Sequence, residues 1–79
     1  MKCKIKTFGI ARDILGSKEL TMEVNGNKVI DLRNDLAKKY PKLESLNSLF
    51  IAINQSYAED EMEFNESDEI ALIPPVSGG

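Results

Sequence analysis

The chain has 79 residues, 42% of them apolar and 29% charged, with a net charge of −3, which bounds it to one small domain over residues 1–79. It has no histidine and no tryptophan, and Cys3 is its one cysteine. That composition excludes an intrachain disulfide, a Cys/His zinc site and a Ser-His-Asp or Cys-His nucleophile pair, so the chain carries no standard catalytic apparatus of its own.

Residues Lys2 to Thr7 alternate, with Cys3, Ile5 and Thr7 on one face and Lys2, Lys4 and Lys6 on the other. This predicts a half-buried strand with Cys3 as a small core residue. The same alternation leaves no continuous apolar stretch at the N-terminus. That argues against a secretory signal and points to the cytoplasm. Phe8 falls on the lysine side, out of pattern for an aromatic. Ile10 to Leu15 reads as a short helix ended by Gly16, and Glu19 to Val24 as a second strand with Leu20, Met22 and Val24 on one face. Asn25-Gly26-Asn27 is a turn in which Asn27 is placed to cap the next helix.

Val29 to Tyr40 is the main helix, since Val29, Leu32, Leu36, Ala37 and Tyr40 recur at steps of three and four. Pro41 stops it. Leu43, Leu46 and Leu49 suggest a further helical turn packing back on the core. Phe50 to Ile53 is a nearly continuous apolar strand, as expected when both faces are covered. The longest apolar run, Leu49 to Ile53, is far short of the roughly 20 residues of a membrane helix. Asn54-Gln55-Ser56 turns the chain into a short return strand at Tyr57-Ala58; Asn65 to Asp68 is another turn, and Glu69 to Ile73 the last strand. The fold class is α+β: a mixed sheet packed on one main helix. With the first and last strands adjacent at the centre, this is the β-grasp, or ubiquitin-like, fold. Periodicity supports the elements and does not pair them.

Charge is split along the chain. All ten bases lie at or before Lys42, against five acids, a balance of +5; eight acids and no base follow, a balance of −8. The cluster Glu59, Asp60 and Glu61 reads either as a solvated edge or as a docking surface for a basic protein. Nucleic acid is disfavoured, because no aromatic is interleaved with the lysines.

The sharpest signal is the ending Pro74-Pro75-Val76-Ser77-Gly78-Gly79. Two prolines after a strand end its pairing and send residues 74–79 outward as an extended, mobile tail. With glycine at about 7% of residues, a terminal Gly-Gly arises by chance in roughly 0.5% of chains. Its physical use would be a narrow thread: two residues without Cβ atoms let a carboxylate reach deep into another protein.

Three segments resemble the small, sulfur-carrying subunit of molybdopterin synthase: Phe8 to Gly16, Ile51 to Ser56, and Asp68 to Gly79 with its DE-apolar-PPVSGG ending. The resemblance implies the β-grasp fold and a role in molybdenum cofactor biosynthesis. An ATP-dependent, ubiquitin-activating-like enzyme would adenylate Gly79, with Gly78 beside it, and the end would become a thiocarboxylate. The large synthase subunit would accept the tail (Pro74, Pro75, Val76 and Ser77) and catalyse sulfur transfer to a cyclic pyranopterin monophosphate within a heterotetramer. No cofactor or metal is expected on this chain itself. If Ile5, Ile70 and Leu72 face the helix, Phe8 and Ile73 meet on the sheet's other side and Tyr57 completes the group. The family's large-subunit contacts match these three positions. Three other readings share part of the pattern. A thiamine-type sulfur carrier joins its first strands by a tight hairpin, unlike the Gly9–Gly16 insertion here. A ubiquitin-like modifier would be conjugated through Gly79. A plain interaction module would have an inert tail.

Overall fold

A computed structural model describes residues 1–45 and 49–74. The expectations placed on Leu46, Pro75, Val76, Ser77, Gly78 and Gly79 lie outside them. The elements run β1 (Lys2–Thr7), α1 (Gly9–Leu15), β2 (Glu19–Glu23), α2 (Val29–Lys39), a 3-10 turn (Pro41–Ser45), β3 (Phe50–Ile53), β4 (Ser56–Tyr57) and β5 (Ile70–Ile73).

The five strands form one sheet in the order β2-β1-β5-β3-β4. β1 and β5 are parallel neighbours at its centre, and the remaining pairs are antiparallel. This is the β-grasp arrangement. Alternation selects the faces. In β1, Cys3, Ile5 and Thr7 are buried, and in β5, Ile70 and Leu72 are. They join Val29, Leu32 and Leu36 of α2, Ile51 and Ile53 of β3, Leu43 of the 3-10 turn, and Phe64. Each Val, Leu, Ile or Phe side chain among them contributes about 1.5–3 kcal/mol when fully buried. Thr7, the polar residue in this set, donates its hydroxyl to the Ser17 carbonyl and so leaves no unpaired group. Among the described residues no helix is long and apolar enough to cross a membrane.

Local rules explain the ends of the helices. Gly16 closes α1 in the left-handed region (φ 82°), and its N–H donates to the Arg12 carbonyl. α2 stops before Pro41, and Tyr40 is already non-helical (φ −129°, ψ 77°). The start of α2 differs from the sequence expectation: Asn27 does not cap it. The Asn27 amide donates to Glu63 Oε1, and its carbonyl accepts from the Phe64 N–H. Lys28 occupies the cap position, with its N–H donating to Asp31 Oδ2 (3.1 Å). The first helical N–H groups, of Val29 and Ile30, donate to the carbonyls of Met62 and Asp60, both at 2.9 Å. The acidic segment before β5 therefore crosses the positive end of α2, where its charge is favoured, and buried Phe64 anchors it.

Candidate partner-docking face

One sheet face is covered by α2. The other carries the residues out of phase with the core. The parallel register pairs Thr7 with Leu72, so the next residues on, Phe8 and Ile73, are neighbours. On the other side of β5, Ile73 pairs with Phe50 and Ala71 with Ala52, and Ala52 pairs in turn with Tyr57. Two alanines opposite each other leave room between the larger side chains. The result is a depression of about 530 Å³ lined by Phe8, Tyr57, Ile73, Ala52, Ala71, Gln55, Lys6 and Glu69. Phe8, Tyr57 and Ile73 are thus brought together, as the sequence expectation had it.

Phe8 is 45%, Phe50 48% and Tyr57 70% exposed, and the Phe50 and Tyr57 rings pack at 5.3 Å between centroids. Single exposed apolar side chains are ordinary, but three of the chain's five aromatics on one face form a contiguous patch. Phe50 and the alanine floor were missed in the sequence because β3 reads as covered on both sides. The signal was there: alternation sets Phe50 and Ala52 opposite Ile51 and Ile53. On the rim, Lys6 Nζ donates to Glu69 Oε1 at 2.9 Å. That hydrogen bond, with the charge of Glu69, raises the Lys6 pKa.

The patch lies where β5 hands over to the tail. Pro74, half-buried, sits over Gly9: a Cβ on Gly9 would stand 3.2 Å from Pro74 Cγ. Gly9 also has φ +56°, so both the backbone and the packing of the tail's base favour glycine there. The tail's remaining candidate residues, Pro75 to Gly79, lie outside the described residues.

Glu59, Asp60 and Glu61 are exposed but belong to the segment crossing the N-terminus of α2, on the helix layer rather than the open face. Asp60 has a partner within the chain, Arg33 Nε at 3.1 Å. Cys3 is 1% exposed, and burial raises its thiol pKa. Among the described residues no three His, Cys, Asp or Glu side chains are grouped to hold a metal ion.

Comparison with known proteins bears on the family and the fold. The chain is 33% identical to a molybdopterin synthase sulfur carrier subunit of Arabidopsis thaliana, over 100% of this chain and 84% of that one. It superposes on the small archaeal modifier protein 1 of Methanosarcina acetivorans with a TM-score of 0.80 and 33% identity, over 99% and 96% of the two chains. It also matches a chain in the complex of subunits 1 and 2 of molybdopterin-converting factor from Helicobacter pylori, with a TM-score of 0.69, 28% identity and 100% of both chains covered. The ThiS family pattern matches residues 5–79. By sequence and by fold, the chain belongs to the ThiS family.

Proposed function

We propose that this chain is the sulfur carrier subunit of a molybdopterin synthase. The observation that carries the reading is the meeting of Phe8, Tyr57 and Ile73 on the sheet face opposite α2, where β5 ends ahead of the Gly-Gly tail. An apolar depression at the base of a thin terminal thread suits a carrier that docks on one protein and inserts its end into that protein's active site.

In this reading a Gly79 carboxylate oxygen attacks the α-phosphorus of ATP on an activating enzyme, and pyrophosphate leaves. A sulfur nucleophile at the hydrosulfide oxidation level displaces AMP from the acyl carbon and leaves a thiocarboxylate. The large subunit then receives the tail and catalyses sulfur transfer to a cyclic pyranopterin monophosphate, towards the dithiolene of the molybdenum cofactor. This chain supplies the acyl carrier and the docking face; the pterin pocket belongs to the large subunit. In the cleft beside the open face Lys2, Lys4 and Lys6 are matched by Glu19, Glu66, Asp68 and Glu69, so no concentration of positive charge is left there to hold a phosphate-bearing substrate. Glu59 and Glu61 serve as a second, long-range attraction for a basic partner surface. On this reading the cycle runs in the cytoplasm, where an N-terminus without a continuous apolar stretch leaves the chain, and cell fractionation checks it.

Removing Gly79, or adding one residue after it, is expected to leave the circular dichroism spectrum unchanged. It is also expected to abolish ATP–pyrophosphate exchange with the activating enzyme. A chain lacking Gly79 that still acquires sulfur and supports pterin conversion contradicts the reading. The likeness to an archaeal modifier protein favours a second reading, conjugation through Gly79 to amines of other proteins. Both share the adenylate and part only at the acceptor.

A further inference from the structure

Tyr57 is the most exposed aromatic of the docking face, so burial does not hold it in place. Its strand, β4, has two residues and, among the described residues, pairs with β3 alone and forms an edge of the sheet. A two-residue turn, Asn54 and Gln55, joins β4 to β3 and leads through Ser56 to Tyr57. Asn54 opens that turn, and three of its polar groups are tied to the segment entering β5. Its Nδ2 donates to Asp68 Oδ1 at 3.0 Å, and its Oδ1 accepts from the Glu69 N–H at 2.9 Å. Its own N–H donates to the Glu69 carbonyl at 2.8 Å.

Asp68 is itself fixed. Its second oxygen accepts from the Asn65 N–H at 2.9 Å, and its own N–H donates to the Asn65 carbonyl at 3.1 Å. Glu69, next along, carries the rim ion pair with Lys6. Asn54 thus clasps the β3–β4 hairpin to the start of the central strand β5. The clasp ends on both sides of the depression: at Gln55 and Tyr57 through the hairpin, and at Glu69, just before β5.

We infer that Asn54 is a positioning residue for partner docking, holding Tyr57 at the spacing from Phe8 and Ile73 that the partner's surface requires. The inference rests on the reading of this face as the site for the large subunit. Asn54 acts through Tyr57, so its effect is tied to that side chain and independent of Phe8 on β1. Groups in one hydrogen-bonded unit couple, whereas distant ones add.

The test is a double-mutant cycle on affinity for the molybdopterin synthase large subunit. Asn54→Gly removes the amide while keeping the backbone free to adopt a positive φ; Asp68→Ala cuts the same clasp from the other side. Each is combined with Tyr57→Ala and, separately, with Phe8→Ala. Each clasp variant is expected to weaken binding about tenfold in the parent and in the Phe8→Ala background, and to have little further effect once Tyr57 is gone. An equal loss in both backgrounds, or no loss, overturns the inference. Should Asn54→Gly fail to fold, Asp68→Ala alone decides by the same comparison. A parent chain that does not bind the large subunit overturns the docking reading and this inference with it. A parent that binds, with an uncoupled clasp, overturns the clasp alone.

Discussion

Single residues carry two constraints that are local in sequence and global in effect. Gly9 is the first. It turns the chain out of β1 with φ +56° and lets Pro74 lie against it, so the exit of the tail is set by a residue 65 positions earlier. Cys3 is the second. Its thiol lies on the inward face of β1, where loss of hydration disfavours the thiolate and raises the pKa above the ordinary cysteine value. The native protein is therefore expected to resist iodoacetamide at pH 8 and to be alkylated promptly once unfolded in urea. The sign for stability follows: the folded pKa exceeds the unfolded one, so this contribution is complete below the unfolded value of about 8.5 and is lost as pH rises through the folded value. Rapid labelling of the native chain would place Cys3 outside the core.

At the scale of elements, the β3–β4 hairpin holds a local conflict. Ile53 pairs with Ser56, leaving Asn54 and Gln55 as a two-residue loop with φ of 50° and 71°. Both positive angles fit a type I′ turn, where Asn followed by Gly is preferred. Asn54 suits its place, whereas Gln55 carries a Cβ in the left-handed region. Gln55→Gly is expected to raise stability by about 1 kcal/mol in urea denaturation, the order of cost of that conformation for a residue with a side chain. An unchanged or lower midpoint would mean that the glutamine side chain offsets its own strain.

The same scale shows what the sequence disclosed. β1, β2 and α2 were legible because alternation and steps of three and four are direct readouts of burial on one face. α1 was legible from Gly16. The start of α2 was not, because its first N–H groups find acceptors at Asp60 and Met62, about 30 residues away. No local signal marks such a partner, so Asn27 looked like a cap. Phe64 was missed likewise, as one aromatic among acids with no periodicity around it. For the candidate docking face, Phe8 and Ile73 were readable as out-of-phase apolar residues and Tyr57 as the aromatic that opens the return strand. Phe50, the alanine floor and the Asn54 clasp needed the register, which only the folded sheet provides.

Over the whole molecule, the charge split along the chain does not survive folding. β1 brings its lysines beside β5, where Lys6 meets Glu69 and Lys2, Lys4 and Lys6 share a cleft with Glu66, Asp68 and Glu69. The opposite halves of the sequence interleave on the open face, and the patch of Phe8, Tyr57 and Ile73 is left as its main apolar feature. Alanine at each of these three positions is expected to weaken large-subunit binding by about 1–3 kcal/mol with a smaller change in thermal stability. If all three lose stability but bind as the parent does, they are core and the face is misassigned. In the same assay, neutralising Glu59 and Glu61 together is expected to slow association and flatten its salt dependence, because exposed charges act mainly on encounter rate. Asp60 is left intact there, since its carboxylate holds Arg33. Rates unchanged at low salt would reduce the acidic cluster to its place at the N-terminus of α2.

The central claim is that Gly79 carries sulfur as an acyl group. The intact mass of the chain purified from its native host, with the activating system present, tests it most directly. A population in which one terminal oxygen is replaced by sulfur is expected, and it is absent when Gly79 is removed. A chain found wholly as the free carboxylate, or recovered only joined to larger proteins, would contradict it.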